Sequence, residues 1–195
     1  MSDMPVFLTA FYIAYVGGIY LALIAFGIIA YILTGKSLSA IARRRGIEKP
    51  WLAWVPVGCD WLLGCISDQY RYVTFGEESN RRGKLLRYNI GLLIILVVVM
   101  VLAFASAFLA VAGISEDAAL LVGMAIFIPY FVMIPLIVVY QILYYKSYFD
   151  LFRSSDPDKS LVYLLVSIFA TFTLPFFLYS CRNKDLGMPP RREAE

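Results

Sequence analysis

The chain has 195 residues and a net charge of +3, with 61% hydrophobic and only 16% charged side chains. A soluble domain is about half apolar and about a quarter charged, so this composition indicates a membrane protein. With no histidine and three cysteines outside any CxxC or metal-ligand spacing, zinc, histidine-ligated haem and histidine acid–base chemistry lack their usual residues, and we predict no metal and no cofactor.

Four stretches of the chain contain no Asp, Glu, Lys or Arg: 4–35, 88–115, 118–145 and 160–181. Each exceeds the roughly 20 residues that a helix needs to cross about 30 Å of hydrocarbon. None shows the polar alternation of barrel strands, so the backbone must satisfy its hydrogen bonds as helix. The predicted fold is therefore an all-α, polytopic membrane helix bundle in one domain. It has four transmembrane helices at about 5–34, 89–114, 119–145 and 158–180, plus an interfacial amphipathic helix within 36–75.

Small residues recur at helical spacing in the first two spans, a pattern that permits close helix contact. The two stripes can pack against each other or drive self-association into a homo-oligomer. They consist of Ala14, Gly18, Ala22 and Ala25 in the first span and Ala103, Ser106, Ala110 and Gly113 in the second.

After the first span, residues 37–46 have the pattern of a short helix that ends at Gly46. Arg43, Arg44 and Arg45 stand at its C-terminal end, where cations are favoured both by the helix dipole and by anionic lipid. These arginines predict a site for lipid headgroups. The alternative is that they only fix the orientation of the chain in the membrane.

Residues 50–70 predict a helix that starts near Pro56 and lies along the membrane interface or dips shallowly into it. One face is apolar, and the opposite face repeats polar residues at helical spacing and is expected to meet water. Tryptophan favours the headgroup layer. The candidate lipid- or partner-binding residues of this segment are Trp51, Trp54, Asp60, Trp61 and Asp68.

The distribution of cations predicts the topology. Ten Lys and Arg residues lie between the first two long spans, which places 36–88 in the cytoplasm and the N-terminus outside. Four crossings then leave the tail 182–195 outside in spite of its four cations. If 160–181 were instead a re-entrant hairpin bent at Pro175, every cation would be cytoplasmic. The helix-start pattern at Asp156-Pro157 favours an uninterrupted crossing helix.

Prolines and a few polar residues mark the interior of the third and fourth spans. Pro129, Pro135 and Pro175 are expected to bend these helices. Tyr130, Ser167 and Thr171 are expected at similar depths and are candidates for a polar cluster near the midplane. No carboxylate, amine or guanidinium stands at the centre of a span, which argues against proton-coupled carriers and intramembrane hydrolases.

Two segments carry a resemblance to other proteins. The run Arg44-Arg45-Gly46-Ile47…Pro50-Trp51-Leu52-Ala53-Trp54-Val55-Pro56, followed by Leu63-Gly64-Cys65-Ile66-Ser67-Asp68-Gln69-Tyr70, resembles small uncharacterised polytopic membrane proteins of Gram-positive bacteria. Asp156-Pro157 before an apolar span and Arg182-Asn183-Lys184-Asp185 after it are similar to the same proteins. The resemblance implies a bacterial cytoplasmic membrane and a fold of about four helices. It implies no activity and no catalytic residues.

Three functional hypotheses follow from the sequence. The first is a non-enzymatic accessory component that binds anionic headgroups or a partner membrane protein through the region 37–72. The second is a small channel or carrier with a path near Tyr130 and the bent third and fourth helices. The third is a membrane enzyme acting on lipid through Asp60 or Asp68, although such acids are usually a solvated helix face. Nucleic acid is not expected as a partner, because the juxtamembrane position explains the basic clusters.

Overall fold

A computed structural model describes residues 4–113 and 116–189 of the chain. These residues form helices and turns without any strand. The last six residues of the predicted tail, 190–195, lie outside the described part. The helices are α1 Met4–Arg44, α2 Pro56–Phe75, α3 Arg81–Ala112, α4 Glu116–Ala125, α5 Phe127–Ser155, α6 Ser160–Phe169 and α7 Leu174–Cys181, with 3₁₀ turns at Pro50–Trp54 and Thr171–Thr173.

In the described ranges, three helical segments are long and apolar enough to cross a membrane: Phe11–Arg44, Arg81–Ala112 and Leu120–Ser155. They confirm the prediction of an all-helical chain that can pass a membrane several times. The third segment consists of α4 and α5, which meet at Ile126. Pro129 explains this break, because its ring collides with the carbonyl of Ala125 in a regular helix. Helix α5 continues through Pro135 without a break, and the predicted bend of the third span stays a prediction.

The fourth predicted span is interrupted in its middle. Helix α6 stops at Phe169, Ala170 leaves the helical region at φ −128° and ψ 72°, and α7 begins only at Leu174. Pro175 has no N–H and would clash with the carbonyl of Thr171, so the chain makes a 3₁₀ turn before restarting. The prediction of one continuous helix over 158–180 is wrong. With 10 and 8 residues, α6 and α7 are each too short to cross a bilayer.

The two ends of this interrupted segment lie next to each other. Lys184 Nζ contacts Asp156 Oδ2 at 2.9 Å. The backbone N–H groups of Leu186 and Gly187 donate to the carbonyls of Ser155 and Ser154, both at 3.1 Å. Helices α6 and α7 therefore form a hairpin that returns the chain to the C-terminal end of α5. This is the geometry of the re-entrant alternative, and four crossings are not confirmed.

The short helix predicted over 37–46 is the last part of α1, which runs without a break to Arg44. Gly46 ends it with φ +67°, a left-handed conformation that glycine adopts without strain. The predicted inner face of this segment is buried: Leu38, Ile41 and Ala42 are all at most 1% exposed. The lower end of α1 is thus anchored in the protein core.

The apolar upper part of α1 has few partners. Among the described helices, α1 packs against α2 and α7 rather than along α3. Ala14, Gly18 and Ala22 are exposed, and space around Gly18 is open. The two small-residue stripes therefore do not meet within the chain, and self-association through them stays a prediction.

The core lies at one end of the bundle, around α2. Helix α2 starts at Pro56 as predicted, and it holds more buried residues than any other described helix. It packs between the first turns of α3 and the last turns of α5, with no room for a Cβ where Gly64 meets the backbone of Arg82. The buried apolar cluster comprises Leu38, Ile41, Ala42, Ala53, Leu62, Leu63, Ile66, Tyr148, Leu151, Phe152, Leu174, Leu178 and Cys181.

Candidate functional site

The predicted wet face of α2 is covered by protein. Asp60 is 4% exposed, and its Oδ2 accepts hydrogen bonds from the Tyr140 hydroxyl at 2.7 Å and from the Asn89 amide. Burial raises the pKa of Asp60, and these two donors oppose the rise. The carboxyl group therefore joins α2 to α3 and α5 instead of facing water.

A second polar contact joins the same three helices two turns further along α2. Arg81 Nη1 lies 2.8 Å from Asp150 Oδ2, and the Ser67 hydroxyl donates to the same oxygen at 2.7 Å. Ser67 is fully buried, and the Arg81 and Asp150 side chains are only 13% and 9% exposed. We call Ser67, Arg81 and Asp150 the buried triad.

Asp68 caps the start of α3. Its two carboxylate oxygens accept the backbone N–H groups of Arg81 at 2.9 Å and Arg82 at 3.2 Å. A carboxylate at this position satisfies free N–H groups and lies at the positive end of the helix dipole. Asp60 and Asp68 therefore have separate structural contacts, and no pairing of the two acids for catalysis is seen in the described residues.

These contacts also give the direction of α2. Asp60 contacts Tyr140 on α5 and Asn89 on α3. Ser67, two turns later on α2, contacts Asp150 further along α5 and Arg81 nearer the start of α3. The helix thus runs alongside the ends of the two long helices. The prediction of an interfacial helix with one hydrated face is not confirmed, because α3 and α5 extend past their apolar runs and enclose it.

Two of the three clustered arginines bind the chain segment that follows α7. The Arg45 side chain is 3% exposed and donates through Nε and Nη2 to Asp185 Oδ1 at 3.1 and 2.8 Å. Arg44 donates to the carbonyls of Arg182 at 2.7 Å and Lys184 at 2.9 Å, and it also pairs with Asp185. We call this set of contacts the tail clasp.

Burial sets the electrostatics of the tail clasp. Desolvation lowers the pKa of the Arg45 guanidinium, and the hydrogen bonds that Arg45 donates to Asp185 counteract this shift. On the outer side of the clasp, the hydrogen bond from Lys184 lowers the pKa of Asp156. The clasp therefore holds the end of the α6–α7 hairpin through charged pairs on both of its flanks.

A basic cleft lies beside the tail clasp, between the lower part of α1 and the turn after α7. The lining residues on α1 recur at helical spacing and share one face of the helix. Lys36 and Arg43, two turns apart on this face, are both exposed. Arg182, whose guanidinium lies 3.7 Å from the Tyr179 ring centroid, borders it from the other side. The described lining residues are Lys36, Ser39, Ala40, Arg43, Arg44, Trp54, Arg182 and Asn183.

Trp54 is held at this cleft by its backbone and by its ring. The Tyr31 hydroxyl donates to the Trp54 carbonyl, and the indole lies so close to Gly35 that a Cβ there would come within 2.9 Å of it. The missing side chain at Gly35 is thus what allows the ring to lie against α1. An amphipathic indole at this level suits the headgroup layer.

The eight residues predicted to bind lipid or a partner do not form one site. Arg43, Arg44 and Trp54 line the basic cleft, Trp51 is 59% exposed, and Trp61 borders a separate groove. The remaining three are Arg45, Asp60 and Asp68, which serve internal contacts. Lys36 and Arg182 were not among the predicted residues. Lys36 could have been found by its position seven residues before Arg43, whereas Arg182 is brought in only by the hairpin.

The predicted midplane cluster is not assembled in the described structure. The Tyr163 ring of α6 packs against the Phe152 ring of α5 with centroids 5.7 Å apart, so α6, which runs back along α5, places Ser167 well below Tyr130. Ser167 is fully buried, whereas Tyr130 is 51% exposed. Thr171 is exposed at the tip of the hairpin. The expected similarity of depth fails because the hairpin turns back before reaching Tyr130.

The cysteines have the environment of structural thiols. Burial raises the pKa of Cys59 to about 12 and those of Cys65 and Cys181 to about 11. Such thiols stay protonated at neutral pH and are poor nucleophiles. In the part of the chain that the structure describes, no group of three His, Cys, Asp or Glu side chains is placed to hold a metal ion.

Comparison with protein-family models, with curated proteins and with solved structures finds no match to this chain. The functional interpretation therefore depends on the geometry of the basic cleft and on the distribution of charge around it.

Proposed function

We propose that this protein is a non-enzymatic integral membrane component whose cytoplasmic end binds anionic phospholipid headgroups in the basic cleft. The observation that carries the proposal is the cleft itself. Its described lining residues include four cations and no carboxylate, and a fixed tryptophan borders it. A bacterial cytoplasmic membrane is the proposed location, in line with the resemblance described above.

The positions of the cations support a topology for this proposal. All Lys and Arg residues of the described ranges lie at the end of the molecule where α1 and α5 finish and α3 begins. With three crossings and the α6–α7 hairpin on the cytoplasmic side, none of these charges is outside, in agreement with the positive-inside tendency. The N-terminus and the link between α3 and α4 are then extracytoplasmic.

The chemistry of the basic cleft favours a lipid phosphate. Cations next to a membrane surface attract anionic lipid by about 1 kcal/mol each. Arg44 is partly neutralised by Asp185, so Lys36 and Arg43 are expected to supply most of the attraction. Lys36 follows directly on the apolar part of α1 and Arg43 lies two helical turns further, which supports a position near the headgroup layer.

Replacing Lys36 and Arg43 together by alanine is expected to weaken binding of phosphatidylglycerol about 30-fold, because each cation contributes about fivefold. The purified full-length protein in detergent would be titrated with short-chain phosphatidylglycerol, and the shift in its melting temperature followed. Both side chains are exposed, so the double variant is expected to fold normally.

Arg153→Ala/Lys159→Ala is the matched control, since it removes two exposed cations at the corner between α5 and α6. This control should keep the full response to phosphatidylglycerol. Equal responses of the two double variants, or an equal response of the wild-type protein to short-chain phosphatidylcholine, would refute headgroup binding at the basic cleft.

A further inference from the structure

A second groove, which shares no residue with the basic cleft, runs between α3 and α5. Helix α3 contributes one face at helical spacing, with Lys84 and Arg87 at the groove's lower end and Gly91 further up. Helix α5 contributes the facing side chains Leu136, Val139 and Leu143. Tyr88 is the remaining described lining residue. The groove is therefore basic at one end and apolar along the rest.

The groove has open space in its apolar part. A Cβ built at Gly91 meets no atom within 4 Å, so the helices leave a channel beside this glycine. Lys84 and Arg87 are exposed, and Arg87 uses its Nε to donate a hydrogen bond to the Gly83 carbonyl at 3.2 Å. The terminal amino groups of Arg87 and the ammonium of Lys84 thus remain for a ligand.

We propose that this groove holds one anionic phospholipid of the cytoplasmic leaflet. The headgroup phosphate contacts Lys84 and Arg87, and an acyl chain lies along Gly91, Leu136 and Val139. The charge pattern carries this assignment, because the two cations come directly before the apolar run of α3 and no described lining residue is acidic. An amphiphile with one anionic end matches that order of basic and apolar surface.

A lipid bound in this groove would have a structural consequence that a headgroup bound in the basic cleft would not have. Helices α3 and α5 are the pair joined by the buried triad at their cytoplasmic ends. An acyl chain between them fills space that side chains leave open, and filled space retains the dispersion contacts that a void loses. The bound lipid is therefore expected to stay with the protein during purification, unlike a headgroup held only at a surface.

Native mass spectrometry of the full chain, purified in mild detergent from membranes containing phosphatidylglycerol, tests the proposal. The wild-type protein should retain one phosphatidylglycerol. Gly91→Leu should retain little of it, because a Cβ at this position meets no protein atom within 4 Å and a leucine side chain would extend into the space proposed for the acyl chain. Lys84→Ala/Arg87→Ala should bind the lipid about 30-fold more weakly, at about fivefold per cation.

Gly17→Leu is the matched control, since Gly17 also has open space around it but lies on α1, away from the groove. Leucine has a higher helix propensity than glycine, so both leucine variants should keep their helix content. Lys36→Ala/Arg43→Ala should retain the groove lipid even if the basic cleft has failed, which separates the two proposals.

Four outcomes would overturn the groove site. Unchanged lipid retention in Gly91→Leu would show that the channel is not occupied. Loss in Gly91→Leu but not in Lys84→Ala/Arg87→Ala would exclude an anionic ligand, and equal retention of phosphatidylcholine by the wild-type protein would do the same. A dimer that disappears in Gly91→Leu would assign the groove to a second copy of the chain.

Discussion

Replacing Asp150 by alanine is expected to lower the free energy of unfolding by about 3–5 kcal/mol, the largest effect expected for any substitution considered. The side chain is 9% exposed, and its Oδ2 lies 2.8 Å from Arg81 Nη1 and 2.7 Å from the Ser67 hydroxyl. Without the carboxylate, the Arg81 guanidinium stays buried without its countercharge. The loss would be measured by reversible unfolding in mixed detergent micelles.

Two further variants separate the ion pair from a general loss of structure. Glu78→Ala removes an exposed acid from the link before α3 and should change stability by no more than about 0.5 kcal/mol. A double-mutant cycle with Arg81→Ala and Asp150→Ala should show strong coupling, because each single change already removes the pair. Additive effects in that cycle would mean that the buried triad does not join the three helices.

Replacing Asp185 by alanine is the second large expected effect, at about 2–3 kcal/mol, because it removes hydrogen bonds from charged donors. Arg45 would stay buried with the Ser154 hydroxyl, 2.8 Å from Nη2, as its remaining partner in the clasp. The loosened clasp should also expose the amides of Leu186 and Gly187, which donate to the end of α5. Hydrogen–deuterium exchange of these two amides measures the loosening directly.

Asp158→Ala is the matched control for the clasp, because Asp158 is an exposed acid in the adjacent α5–α6 link. It should leave both the unfolding free energy and the exchange of Leu186 and Gly187 near the wild-type values. Fast exchange of these amides already in the wild-type protein would contradict the tail clasp.

The sequence was sufficient for features that depend on local chemistry. Three of the four long runs without charge predicted helical segments long enough to cross a membrane, because a lipid solvent forces the backbone to form helix. Pro56 predicted the start of α2 and Gly46 the end of α1, and Pro129 lies just after the break in the third span. Each of these residues restricts its own backbone, so no information about distant neighbours is needed.

Features that depend on pairing between distant segments could not be predicted. Periodicity shows that Asp60 and Ser67 share one face of α2, but it does not show whether water or another helix covers that face. Polar partners 29 and 83 residues away in the chain bury them. The basic cleft was found only in part, because Arg182 reaches it through the α6–α7 hairpin.

For residues 156–181, two local sequence signals favour different structures. Asp156-Pro157 gives a good helix start, and an apolar run follows it, so a crossing helix was a reasonable prediction. Pro175 weighs against it, and the ion pair between Asp156 and Lys184 then brings the two ends together. The distribution of cations along the chain also favours the hairpin, because only a return of the chain keeps the tail on the same side as the other basic residues.

Determining the side of the membrane on which the tail lies is the most direct test of this topology. Native Cys181 cannot report it, because the thiol is fully buried. Asn183 is exposed in the turn after α7, and Asp117 is exposed beside the link between α3 and α4. Each position would be replaced by cysteine separately in the otherwise wild-type chain. Cells that produce each variant would be treated with a membrane-impermeant maleimide, both intact and after permeabilisation. Asp117→Cys should react in intact cells, and Asn183→Cys should react only after permeabilisation. Reaction of Asn183→Cys in intact cells would place the tail outside and contradict the hairpin topology.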